Sequence, residues 1–221
     1  MVFLRPILPE DQERMLDILT SPEVAKTYML PDYKNREDAL HIYFHLMEMS
    51  EESDVEYVRA IATEEGLVGF LNHQEIEKLS IELGYVIHPA FHGKSYMTEA
   101  LHLAIGELFD MGYHQVTAGA FATNTASIRC MEKCGMTKID KTETIEYRGA
   151  THTCVYYAAT NPSPMTFSCC FCGKAVAPYN SFILTIRRVN DANDTRQDLY
   201  CHRKCMERKL KDPKSLYLLF T

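Results

Sequence analysis

The sequence predicts an α/β (α+β) protein: a mixed, mostly antiparallel central sheet flanked by helices, followed by a small metal-stapled module. Three observations lead there. Residues 55–63 with 67–76, and 136–147 with 152–159, are strand-like runs joined by short turns and read as antiparallel hairpins. Between them an alternating strand, Ser80–Ile87, passes through a long amphipathic helix to a second strand, His114–Ala122. Five of the eight cysteines lie after residue 165, beyond the proline-rich stretch Asn161-Pro162-Ser163-Pro164.

Taken in order, Val2–Ile7 alternates well enough for an edge strand. Pro9-Glu10-Asp11 opens a helix running to about Leu19, with proline in the first turn and acidic residues near the positive end of the helix dipole. Ser21-Pro22-Glu23 starts another short helix, and Asn35 caps a longer one carrying Ala39, Leu40, Tyr43, Leu46 and Met47 at helical spacing. Glu51–Asp54 is a polar break before the first hairpin. In Ser80–Ile87, Ile81, Leu83, Tyr85 and Ile87 share one face, and Glu82, Gly84 and Val86 the other. After Pro89 and Gly93 the next helix has the apolar stripe Met97, Ala100, Leu101, Ala104, Ile105 and Leu108, and Gly112 ends it. Asn124–Cys134 is a short helix stopped by Gly135. The predicted organisation is a domain over 1–160, a linker over 161–165 and a module over 166–221.

Composition bounds the function. At 221 residues and 46% hydrophobic, the chain has enough apolar material for one sizeable core. Apolar runs such as Leu101–Leu108 are too short to cross a bilayer. Met1–Pro6 lacks a basic region followed by an apolar run, so the expectation is a cytoplasmic protein whose thiols stay reduced. The net charge of −7 is unevenly placed: residues 162–221 hold ten basic and five acidic side chains, and residues 1–161 hold thirteen and twenty-five. The acidic part disfavours nucleic acid and favours a cationic partner; the basic tail does the opposite. No Ser-His-Asp arrangement or catalytic cysteine is evident, and Cys130, Cys134 and Cys154 read as buried inert thiols.

The stretch His92-Gly93-Lys94-Ser95-Tyr96-Met97 sits just before the long helix, where backbone N–H groups and the helix dipole make a phosphate site. Together with LRPILPEDQERMLDIL, SPEVAK, GLVGFL, IELGYVIHP and NTASIRCMEKCGM, all within Val2–Ala159, it resembles the GNAT superfamily of N-acetyltransferases, RimJ/RimL-like branch. That resemblance implies an acetyl-coenzyme A donor and a primary amine acceptor: a protein N-terminus, a peptide or a small-molecule amine. It implies that the two central strands splay after a bulge, placing the backbone of Val86 and Ile87 against the pantetheine arm and the thioester oxygen, with Asn124 at the pantetheine amide. The family's Gln/Arg-x-x-Gly-x-Gly/Ala stands here as His92-x-x-Ser95-x-Met97. Ser95 can replace glycine there if its φ is negative, and Met97 leaves room for the phosphates if its side chain points into the core, as its place in the apolar stripe suggests. Glu82, beside the open space expected at Gly84, is the candidate general base. Ser127, in the first turn of its helix, is the candidate proton donor to the leaving thiolate. Tyr147 lines the acceptor pocket or simply packs.

The tail carries Cys169-x-x-Cys172-Gly173 and, later, Cys201-His202-x-x-Cys205. Residues 181–189 and 198–200 read as strands around a turn at 190–195, with a helix starting near His202. A knuckle and a first helical turn together supply a tetrahedral, treble-clef-like zinc site. Cys169, Cys172 and Cys205 are three ligands; the fourth is His202 or Cys201, and His202 is chosen because its spacing mirrors the first pair. The predicted metal is structural. Two alternatives follow: a non-catalytic, degenerate acyl-CoA-binding protein that recruits a protein partner through its zinc module, and, more weakly, an enzyme that modifies RNA or an RNA-bound protein and is delivered there by its basic tail.

Overall fold

The chain forms two units, Met1–Pro162 and Ser163–Thr221. The structure, a computed structural model, describes residues 1–33, 36–51, 57–164, 167–176, 181–187 and 196–209. In the first unit a seven-stranded sheet is built from β1 (Phe3–Arg5), β2 (Val58–Thr63), β3 (Gly66–Glu77), β4 (Ser80–Ile87), β5 (Gln115–Phe121), β6 (Thr137–Tyr147) and β7 (Ala150–Thr160), in the order β1-β2-β3-β4-β5-β7-β6. Every neighbouring pair is antiparallel except β4–β5. That pair is parallel because helix α3 (Tyr96–Asp110) crosses over between its strands.

Helices α1 (Gln12–Leu19) and α2 (Arg36–Glu51) lie between β1 and β2 in the chain, and α4 (Thr125–Lys133) follows β5. Pro9–Asp11 is a 3-10 turn rather than the first turn of α1, and the short helix expected at Ser21 begins only at Val24, again as 3-10. The cap read at Asn35 and most of the polar break at 51–54 fall outside the described residues, as do Val55 and Glu56 of the next strand.

The main core joins α1 and α2 to one face of the sheet: Met15, Leu16, Ile18, Ala39 and Tyr43 pack with Val58, Ala60, Phe70 and Val86. Five of the six residues of the α3 stripe, Ala100 through Leu108, are buried as their spacing requires. The entry to α1 is pinned electrostatically. Asp11, 4% exposed, accepts from Arg5 Nη1 (2.6 Å), Arg5 Nη2 (2.8 Å) and the Leu8 N–H (2.9 Å).

In the second unit, β8 (Phe167–Ser168) pairs with β9 (Ala175–Val176), and β10 (Ser181–Arg187) pairs with β11 (Arg196–His202) ahead of helix α5 (Arg203–Lys209). The returning strand is longer than the 198–200 read from sequence; Val189 and the turn at 190–195 lie outside the described residues. Among the described residues of this unit only Cys169, Val176 and Cys201 are buried.

Candidate functional site

β4 and β5 pair at Ser80–Gln115, Ile81–Val116 and Glu82–Thr117, and then part, although β4 continues to Ile87 and β5 to Phe121. Glu82 therefore stands at the apex of an opening between two strands. Opposite it, β3 inserts one extra residue, Gln74, between the pairs His73–Leu83 and Glu75–Glu82; such a bulge bends the strand locally. The open space expected at Gly84 is filled. A β-carbon there would lie 2.5 Å from Gln74 Nε2 and 3.2 Å from Asn72 Oδ1, and Tyr28 donates to that Asn72 oxygen at 2.7 Å.

The Glu82 side chain is 18% exposed and accepts from Lys141 Nζ at 3.3 Å. The same ammonium lies 3.4 Å from Glu143 Oε1 and 4.0 Å from the centroid of the Tyr156 ring. Tyr156 donates to Glu143 Oε2, which, offset in part by desolvation and helped by Lys141, holds that carboxyl below its usual range. Partial burial works against the charge on Lys141, but Glu82 and Glu143 outweigh it and the ammonium form is favoured. The Tyr156 ring lies on Gly119, where a β-carbon would come within 2.7 Å of Cε1.

At the far end of β4, His88 N–H donates to Val68 O at 2.9 Å, and the Val86 carbonyl lies where a β-carbon on residue 69 would sit. The Val86 backbone thus faces β3 and not the opening, contrary to expectation. Strand alternation turns Ile87 the other way. The Ile87 carbonyl meets His92 Nε2 at 3.0 Å, so His92 turns back onto the strand rather than toward the loop.

The loop itself is exposed from His92 through Ser95, with Gly93 at φ +77° and Ser95 at φ +63°. The negative φ at which serine would replace glycine without strain is not what Ser95 adopts. A left-handed residue is needed where loop becomes helix, and serine bears the steric cost that glycine avoids. Its side chain makes no capping bond. Met97 is half-buried and, unlike the rest of its stripe, is not in the core. Tyr96 is half-buried, 6.4 Å from the Phe91 ring. Lys94 Nζ and Arg14 Cζ lie 4.9 and 5.1 Å from the centroid of Phe91, bringing two cations to the start of α3.

Asn124 Oδ1 caps α4 by accepting from Ser127 N–H at 3.2 Å. Ser127 Oγ shares a 2.7 Å hydrogen bond with Tyr85 O–H. Burial raises the Tyr85 pKa, so the phenol keeps its proton. Cys134 Sγ donates to Thr98 O at 3.3 Å, and Thr98 Oγ1 donates to Cys130 Sγ at 3.6 Å, tying the first turn of α3 to α4. Cys130, in α4, and Cys134, just after it, thus both contact α3 through Thr98. Tyr147 is likewise occupied: its oxygen accepts from Leu30 N–H (3.1 Å) and donates to the Leu30 or Tyr28 carbonyl (3.2 and 3.4 Å).

One known protein family matches the first unit. Its profile, described as Acetyltransferase (GNAT) domain, matches residues 2–137. The chain belongs to the GNAT acetyltransferase family. A curated relative, the probable N-acetyltransferase YjcK of Bacillus subtilis (strain 168), is 32% identical over 93 residues, which are 39% of this chain and 51% of YjcK. The chain thus spans about half the length of that relative. RimL, a ribosomal α-N-protein acetyltransferase in complex with coenzyme A, superposes with a TM-score of 0.64 at 16% identity, covering 72% of this chain and 93% of its own. Spermidine N-acetyltransferase from Vibrio cholerae, in complex with CoA and spermine, does so with a TM-score of 0.61 at 16% identity, covering 72% and 95%. At such identities the likeness establishes the GNAT fold. No helix among the described residues is long and apolar enough to cross a membrane.

In the second unit, the ligand atoms of Cys169, Cys172, His202 and Cys205 all lie within 4.8 Å of one another. Tetrahedral zinc, with Zn–S about 2.3 Å and Zn–N about 2.0–2.1 Å, has S···N edges of about 3.6 Å. Cys172 Sγ and Cys205 Sγ stand 3.5 and 3.8 Å from His202 Nδ1, so the donors fit that ion. Although burial opposes it, backbone N–H groups of His202, Phe171 and Cys172 lower the Cys169 thiol to about 6, favouring the thiolate a metal needs. Cys201 is buried outside this set, where its thiol contacts Phe182 O (3.6 Å) and Met206 Sδ (3.7 Å).

Sequence reasoning missed Tyr85, Lys141, Glu143, Tyr156 and Arg14. Tyr85 reads as one more apolar residue of an alternating strand. Lys141 and Glu143 read as solvated strand charges, because β6 pairs at Lys138–Tyr157 and next at Thr142–Val155, a register shift that alternation does not reveal. The usable signal was Gly119 inside a strand, which marks a close approach by a neighbour.

Proposed function

We propose that the first unit is an N-acetyltransferase that moves acetyl from acetyl-CoA to a primary amine by direct attack, of the RimJ/RimL-like kind. One observation carries this: β4 and β5 separate immediately beyond Glu82, leaving a cleft with a carboxylate at its apex. The start of α3, with Gly93, Lys94, Ser95, Tyr96 and Met97, together with Arg14, would receive the diphosphate. Ile87 N–H would face the thioester oxygen, and Asn124 would meet the pantetheine. Glu82 takes the proton from the amine, and Ser127, backed by Tyr85, returns one to sulfur. The acidic first unit and the ammonium already seated between Glu82 and Glu143 favour a cationic acceptor, in keeping with the spermine bound by the Vibrio cholerae enzyme. In the second unit Cys169, Cys172, His202 and Cys205 hold a structural zinc ion, leaving no open coordination position.

Titration calorimetry with acetyl-CoA, followed by thiol release over spermidine and peptides with free N-termini, tests the activity. Micromolar binding with turnover on an amine supports it, and Glu82→Gln then lowers the rate by about 100-fold or more. His92 turned onto Ile87 and the left-handed Ser95 favour a second reading, a GNAT domain that has lost turnover and recruits a partner. Absence of heat at high micromolar acetyl-CoA selects that reading.

A further inference from the structure

The acetyltransferase reading rests on Glu82 as base, and one amine already stands at that base. Lys141 Nζ is 3.3 Å from Glu82 Oε2, closer than its 3.4 Å approach to Glu143. The lysine reaches this place by unusual means. In the sheet order, β5 and β7 lie between β4 and β6. The pairing Lys138–Tyr157 is followed by Thr142–Val155, so three residues of β6, Ile139 to Lys141, oppose the single residue Tyr156. Such a bulge re-aims a side chain. Here it sends Lys141 over the Tyr156 ring, which itself packs against the bare backbone of Gly119. The chain bends one strand and omits one side chain, and an ammonium arrives beside the carboxylate where the paired strands part. The side chain is 38% exposed and 18% of Glu82 is exposed, so the pair borders solvent and the cleft.

From this placement we propose that Lys141 is a built-in acceptor, acetylated in cis by its own domain. This inference depends on the proposed acetyl transfer and adds a modification site to it. In the step, the Lys141 ammonium gives a proton to Glu82, and its freed lone pair attacks the thioester carbonyl carbon. The N–C bond forms, the C–S bond breaks, and the thiolate of coenzyme A leaves and takes a proton from Ser127 or water. The nitrogen loses its second proton to solvent. The product is a neutral amide at position 141. It no longer offsets Glu82 and Glu143, so both carboxylates become available to an external cationic amine.

The test incubates the full chain with acetyl-CoA, without added amine, and follows acetyl incorporation by intact mass and peptide mapping. Exposed Lys138 on the same strand is the internal control for uncatalysed acetylation. The expected result is one acetyl group on Lys141, gained well ahead of Lys138 and at a first-order rate independent of protein concentration. Glu82→Gln, close to isosteric, should slow it by about 100-fold or more, and Lys141→Arg should abolish it. The inference is overturned if Lys141 trails Lys138, or if its rate climbs with protein concentration, which would mean transfer between molecules. It is also overturned if the chain acetylates spermidine while Lys141 stays unmodified; the proposed function then stands. If the chain neither binds acetyl-CoA by calorimetry nor gains acetyl, both fall together.

Discussion

Removing the metal should unfold the second unit and leave the first intact. The reasoning starts from burial: the described part of Ser163–Thr221 encloses only Cys169, Val176 and Cys201. A fully buried aliphatic side chain contributes about 1.5–3 kcal/mol, so the three residues buried among those described cannot offset the ordering of two strand pairs and a helix. Apparent zinc binding in small Cys/His modules contributes about 10–16 kcal/mol, and in such modules that is the folding free energy. The donors are placed for it, with two S···N edges of 3.5 and 3.8 Å. Hydrogen exchange with and without a strong chelator is the assay. Amides of 167–176, 181–187 and 196–209 should lose protection on chelation, while β2 through β5 keep theirs. Purified protein should hold about one equivalent of zinc, and Cys172→Ser should reproduce the chelator's effect. Cys201→Ser separates the two possible ligand sets: it should retain the metal, since Cys201 packs against Phe182 and Met206. Unchanged exchange after chelation, or metal lost in Cys201→Ser but kept in a His202 variant, would refute this account.

Other outcomes follow from the first unit. Asp11→Asn leaves the Arg5 guanidinium without its buried anion and should cost about 3 kcal/mol, a fall in Tm of about 6–12 °C for a unit this size; calorimetry checks it, and a change under 1 °C would contradict it. Gly119→Ala pushes a methyl into the Tyr156 ring, 2.7 Å from Cε1; about 1–3 kcal/mol of stability should go, and acetylation of Lys141 should slow in mass analysis. Ser95→Gly relieves a left-handed serine, which costs roughly 1–2 kcal/mol. That gain is partly offset by the greater freedom of glycine in the unfolded chain. Calorimetric titration should find acetyl-CoA bound as tightly as before or more so, whereas Ser95→Val should weaken it.

The sheet was legible because its determinants are local. Ser80–Ile87 alternates cleanly, Gly112 takes φ +95° where α3 must end, and Asn124 caps α4 through its own side chain. Positions whose meaning depends on a neighbour were not legible. Gly84 looks like empty space in one dimension, yet it is bare because Gln74 and Asn72 fill the site. Ser95 looks like a near-neutral replacement for glycine until its backbone angle is known. Val86 and Ile87 are adjacent apolar residues in sequence, but only the pairing of Val68 with His88 shows which backbone faces the cleft. Lys141 depends on a bulge in one strand and a missing side chain in another, so no window of β6 alone announces it. The clustering of Cys169, Cys172, His202 and Cys205 was easier to read, since both halves are short-range spacings that a hairpin and a helix start bring together.

Alternation along β4 divides the chemistry of the proposed reaction between the two sheet faces. Glu82 and Tyr85 are three residues apart, so they point to opposite sides. Glu82 faces the side of α1 and α2, with Lys141 and Glu143, where an amine must lose its proton. Tyr85 faces α4, bonded to Ser127, where sulfur must gain one. A carrier lying in the gap between β4 and β5 would present its carbonyl carbon to the first side and its sulfur to the second. Base and acid are then separated by the thickness of a strand and cannot exchange their proton directly, so the amine proton cannot short-circuit to the serine. A one-residue slip of β4 would move Glu82 to the α4 side and Tyr85 to the amine side, undoing both roles at once. The register that prevents it is held by eight β3–β4 pairs with Gln74 looped out between His73 and Glu75. In the proposed reaction that bulge would matter as much as the residues that touch substrate.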